Sequence, residues 1–114
     1  MRCVFVPAFA FAAALLVGNA AAAEPSAANG RVLFVKVGCY QCHGYQGQGG
    51  AAGPRIAPEP LPFDGLAGFV RTSSGEMPPY PTTLLSDGDL ADIYAYLQSI
   101  PRPPALADVP LLKQ

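Results

Sequence analysis

Apolar and polar positions divide the chain into segments of different character. Val4 to Val17 is an apolar run broken only by Pro7, preceded by Met1-Arg2 and followed by Ala21-Ala22-Ala23 ahead of Glu24. After a short polar lead-in, Val32, Leu33, Phe34, Val35 and Val37 are crowded into a segment that Asn29 can cap and Gly38 can end. The pattern predicts a helix from Gly30 towards Val37, apolar nearly all round and therefore buried on more than one side. Its β-branched residues suit a strand equally well, and the glycine stop decides for helix. Phe63, Leu66, Ala67 and Val70 recur at i, i+3, i+4 and i+7, which predicts a helix over 63–72 with Asp64 and Arg71 at the ends its dipole favours. Leu90, Ile93, Tyr94 and Leu97 repeat that spacing, with Tyr96 on the flank, Ser86 as N-cap and Pro101 stopping the helix after Ile100.

Between these periodic stretches lie breakers. Gly44 to Pro62 carries five glycines and then Pro54, Pro58, Pro60 and Pro62, which excludes a long regular element. A loop of that length in a small domain serves either to wrap something or to stay disordered, and for Gln46 to Ala52 both readings stand. Ser73 to Pro81 is a second proline-rich loop, and Pro101 onwards predicts an extended tail.

Composition adds an export route. A positive start, an apolar run and a small-residue cleavage site are the three parts of a secretory signal peptide, here residues 1–23. An uncleaved membrane anchor is the alternative, since Val4 to Ala23 is long enough to span, but the run is alanine-rich and lacks a flanking charge. The boundaries expected are therefore 1–23 signal peptide, 24–100 domain and 101–114 tail. The full 114-residue chain has a net charge of −1, and loss of Arg2 makes it −2. Nothing in it forms a basic stripe for nucleic acid or a lysine-rich face for a strongly acidic partner.

The chemistry sits in Cys39-Tyr40-Gln41-Cys42-His43, the C-x-x-C-H signature of covalent haem attachment. On one helical turn both thiols can reach the two vinyl groups of a porphyrin while the next side chain faces the iron. Cys39 and Cys42 are the expected thioether anchors and His43 the proximal ligand. A structural or redox disulfide is the competing reading of such a pair, but no thioredoxin-like βαβ pattern surrounds it. Zinc would need four ligands, and the exported chain has two cysteines and one histidine. Bis-histidine ligation within one molecule is excluded because His43 is the only histidine. Met77, the only methionine after Met1 and held between rigid neighbours in Glu76-Met77-Pro78-Pro79, is left as the sixth ligand.

With these residues the chain resembles a small bacterial class I cytochrome c over nearly all of 29–100. Cys39, Cys42 and His43 match the attachment motif, Met77 in Met-Pro-Pro the distal loop, and Gly53-Pro54-Arg55-Ile56 the Gly-Pro-x-Leu segment. The resemblance implies an all-α fold, three main helices and long loops wrapped around one covalent haem c. It adds Pro54 and Ile56 to the cofactor contacts, with the Pro54 carbonyl accepting a hydrogen bond from His43. It also implies a crossing of first and last helices through Gly30 and Phe34 on one and Ile93 and Tyr96 on the other. A separation of 34 positions from His43 to Met77 makes the intervening loop compact. The function implied is a periplasmic one-electron carrier, not itself an enzyme, linking a dehydrogenase to a respiratory oxidase or serving as a dehydrogenase's cytochrome subunit. A haem enzyme or gas-binding sensor with a labile sixth ligand is the alternative.

Overall fold

The computed structural model describes residues 23–112. The signal peptide expected over 1–23, with Cys3, lies outside the described residues except for Ala23, as do Lys113 and Gln114. The chain forms α1 (Ala27–Lys36), α2 (Cys39–His43), α3 (Phe63–Thr72) and α4 (Asp87–Ser99), then two single-turn 3-10 pieces, Leu106–Asp108 and Pro110–Leu112. Among the described residues there is no strand, only an isolated bridge between Gly50 and Gly53. The all-α expectation holds, with α2 as the short attachment turn beside three longer helices. No helix among the described residues is long and apolar enough to cross a membrane.

α1 starts three residues earlier than its sequence predicts. Ser26, not Asn29, is the N-cap: its hydroxyl accepts from the Asn29 N–H at 3.2 Å. Asp92 of α4 decides the boundary, taking the Ser26 N–H on Oδ1 at 2.6 Å and the Asn29 side-chain amide on Oδ2 at 2.7 Å. A partner 66 positions away thus supplies acceptors for a helix N-terminus whose donors would otherwise face water. Gly38 at φ 88° ends α1 as expected, in a left-handed conformation where a side chain would be strained. The expectation that α1 is buried on more than one side is not met. Only Gly30 and Phe34 are buried, while Val32 and Val35 are exposed, because α4 is the one long helix packed against α1.

The crossing of α1 and α4 is tight because Gly30 has no side chain. A β-carbon there would sit 1.9 Å from the Asp92 carbonyl oxygen. One turn on, Phe34 is wholly buried and meets Tyr96 edge to face, with ring centroids 5.7 Å apart. Leu85, Leu90, Ile93 and Leu97 complete the core beside them. Tyr96 is buried, deeper than the flank position its spacing suggests, because its hydroxyl finds the Tyr45 carbonyl at 2.8 Å.

α3 occupies the residues its periodicity predicts and buries Leu66. Phe63 meets Tyr94 of α4 edge to face at 5.3 Å. α4 begins with a full capping box: Asp89 N–H donates to the Ser86 hydroxyl, and Ser86 N–H donates back to the Asp89 carboxylate. It ends at Ser99, with Ile100 extended before Pro101, one residue short of the expected stop.

The glycine- and proline-rich stretch after α2 is folded back on itself. The Gly47 carbonyl accepts from both Ile56 and Ala57 N–H groups, at 2.8 and 3.0 Å, and Gly49 N–H donates to the His43 carbonyl at 2.8 Å. The tail departs from the extended form expected of it at its two 3-10 turns. Its root is held by an ion pair between Arg102 and Glu59, and beyond it Leu106 and Leu111 are exposed.

Candidate functional site

α2 is a single turn that begins at the left-handed Gly38 and carries Cys39, Cys42 and His43. Both cysteines are free thiols, not bonded to each other. Burial pushes the Cys39 thiol up to about 11, with Cys42 beside it adding to the rise against a backbone hydrogen bond that lowers it, so it is neutral near pH 7.

His43 is buried, and its Nδ1 lies 2.8 Å from the Pro54 carbonyl oxygen. A carbonyl only accepts, so Nδ1 carries the proton and donates. That tautomer leaves Nε2 with a free lone pair, and the bond fixes the ring plane.

His43 and Met77 line one cavity of about 370 Å³, whose wall includes Ile56, Leu66 and Val70 and whose exposed rim carries Leu61 and Phe69 together with Pro54, Arg55 and Glu59. A smaller space of about 40 Å³ shares His43, Ile56, Leu66, Val70 and Met77 with it and reaches Cys39, Phe34 and Leu97. Five of the six residues expected at the site, Cys39, His43, Met77, Pro54 and Ile56, therefore line two adjoining, mostly apolar spaces, with His43, Ile56 and Met77 shared between them. Cys42 is half-buried on the same turn, its carbonyl beside Gly53.

The donor set suits a haem. Nε2 and a thioether are able to ligate iron, two thiols on one turn are able to form thioethers, and the wall is apolar apart from Arg55 and Glu59. Among the described residues no three His, Cys, Asp or Glu side chains converge as an ion site of their own.

The loop bearing Met77 is gripped at several points. The Ser73 hydroxyl donates to the Met77 carbonyl at 2.6 Å. Tyr80 N–H donates to the Val70 carbonyl at 2.9 Å, the Tyr80 carbonyl accepts from Arg71 Nη1 at 2.7 Å, and the Tyr80 hydroxyl donates to the Val37 carbonyl at 3.2 Å. Burial first, then the nearby Cys39 and Cys42, raise the Tyr80 hydroxyl above its ordinary pKa, which keeps it a donor. Sequence reasoning did not find these roles. Arg71 carried the signal of a helix-end charge and Tyr80 none beyond its place after two prolines.

Residues 25–97, which contain α1 to α3 and nearly all of α4, match the family model described as cytochrome c oxidase, cbb3-type, subunit III. The chain belongs to this cytochrome c family. It is a small c-type cytochrome of all-α fold, and the chemistry of the family is haem-based electron transfer. Neither a curated protein nor a solved structure matches the chain.

Proposed function

We propose that this cytochrome is a periplasmic one-electron carrier with a single haem held covalently by Cys39 and Cys42, with His43 and Met77 as the residues that would ligate its iron. The observation that carries the reading is the meeting of His43 and Met77 on one apolar cavity, with the imidazole already oriented by Pro54. A bound haem supplies a one-electron ferric/ferrous couple.

The chain's own residues do the rest. His43 presents Nε2 because Nδ1 is committed to Pro54, and that bond makes the imidazole a stronger donor. Ile56, Leu66 and Val70 give the cavity apolar walls, which would limit reorganisation when charge changes. Leu61 and Phe69 give its rim an apolar, exposed surface against which a redox partner can seat. The leader over 1–23 would deliver the chain to the compartment where haem is attached. The partners proposed are a dehydrogenase and a terminal oxidase, the latter supported by the oxidase named in the family description.

The test is an absorption spectrum, oxidised and reduced, of protein exported in a host with haem-attachment machinery, beside Met77→Ala. A reduced c-type spectrum and a weak far-red band in the oxidised wild type, lost in the variant, is the expected result. Intact mass should rise by one haem. A wild type without the far-red band would remove Met77 from the iron, and a mass without haem would remove the carrier reading altogether.

A further inference from the structure

Met77 stands between Ser73 and Tyr80, and both ends of that interval are fixed. Ser73 is buried and bonded to the Met77 carbonyl. Tyr80 is the denser knot: its N–H, carbonyl and hydroxyl are bonded to Val70, Arg71 and Val37. Val37 immediately precedes Gly38 and the attachment turn, so the hydroxyl ties the methionine loop to the segment that leads into α2. Pro78 and Pro79 transmit the constraint, since neither can rotate φ freely.

Arg71 makes the one charged bond in this knot. Its Nη1 donates to the Tyr80 carbonyl and its Nη2 to Asp87 Oδ1, both at 2.7 Å. The guanidinium is mostly buried, with 18% exposure, whereas Asp87 is 79% exposed. A rigid fork with two donors spans a backbone carbonyl on the loop and a carboxylate at the start of α4, which a lysine cannot do from one nitrogen with the same geometry. Asp87 thus aims Arg71, and Arg71 holds Tyr80.

We propose that Arg71 is the positioning residue for the sixth ligand: by clamping the Tyr80 carbonyl to α4 it sets how rarely Met77 leaves the iron. The inference rests on the His43/Met77 ligation proposed above. An added ligand such as imidazole binds only molecules whose methionine has left, so its apparent affinity scales with the population of that open state. Loss of a charge-assisted hydrogen bond should raise that population by about tenfold.

The experiment titrates oxidised, haem-loaded protein with imidazole, following loss of the far-red band, and measures carbon monoxide binding to the reduced form. Arg71→Gln should bind imidazole about tenfold more tightly than wild type and take up carbon monoxide faster, with an unchanged reduced spectrum. Arg71→Lys should fall between them, and it serves alone if the glutamine variant does not load haem. Arg31→Gln, an exposed arginine of α1, should match wild type. Imidazole affinity within twofold of wild type in both Arg71 variants overturns the role of Arg71. Met77→Ala distinguishes the two levels: if it binds imidazole tightly while the Arg71 variants do not, the ligation stands and Arg71 is dismissed. If Met77→Ala keeps the far-red band and wild-type affinity, ligation and inference fall together.

Discussion

Gly30 and Asp92 touch backbone to backbone: a β-carbon on Gly30 would lie 1.9 Å from the Asp92 carbonyl oxygen and 2.4 Å from its carbonyl carbon. Both obstacles are main chain in the middle of α4, so neither can rotate away. The closeness sets the distance between α1 and α4, and with it the edge-to-face contact of Phe34 with Tyr96.

Gly30→Ala should accordingly destabilise the folded protein despite alanine's better helix propensity. Overpacking of this kind costs about 1–3 kcal/mol, set against the roughly 1 kcal/mol that alanine gains within a helix. Denaturant melts of haem-loaded wild type and variant give the difference. A variant as stable as wild type would mean the helices separate without cost.

Asp92 also joins the two helices through its side chain, and this link is pH-dependent. The Asn29 amide, and then the Ser26 N–H, hold the carboxyl below its ordinary pKa. A carboxylate depressed in the folded state contributes stability above its unfolded pKa, near 3.9, and the contribution is lost as pH falls through the lower folded value. Asp92→Asn should be less stable than wild type at pH 7, with the two curves converging in the acid range. Parallel curves at every pH would remove the charge from the explanation.

The helix spacing in the sequence was enough to locate α3 and the start of α4, because their signals are local: an i, i+3, i+4, i+7 stripe and a serine cap. The start of α1 was not legible, since its deciding partner is Asp92 on another helix. Val32 and Val35 are apolar yet exposed, and no local pattern says how many neighbours their helix has. The site follows the same division. Cys39, His43, Pro54 and Met77 announce themselves by motif, whereas Arg71 and Tyr80 act through backbone carbonyls, which leave no trace in residue type.

Tyr96 anchors the loop that follows the attachment turn through a single hydroxyl, donated to the Tyr45 carbonyl at 2.8 Å. Tyr96→Phe keeps the ring against Phe34 and removes only that bond, leaving the carbonyl to find water. A loss of about 1 kcal/mol is expected. The reduced haem spectrum should not change, since neither Tyr45 nor Tyr96 lines the spaces that His43 and Met77 share. A spectral shift in this variant would show that the loop's position reaches the iron site.

The tail should contribute to neither stability nor ligation. Its one ion pair with the domain among the described residues, Arg102 to Glu59, joins side chains 75% and 60% exposed. Such a pair is worth about 0–1 kcal/mol and is screened by salt. Leu106 and Leu111 farther on are 76% and 82% exposed, and among the described tail side chains only Val109 is even half-buried. Glu59→Gln should therefore shift the denaturation midpoint by an amount near the error of the measurement, and removal of residues 103–114 should leave the melt and the haem spectrum as they are. Electron transfer is the separate readout. Should the shortened protein accept electrons from the proposed dehydrogenase partner more slowly while its spectrum and stability stay constant, the two exposed leucines act on that partner. Should the rate be unchanged, docking rests on the rim formed by Leu61 and Phe69.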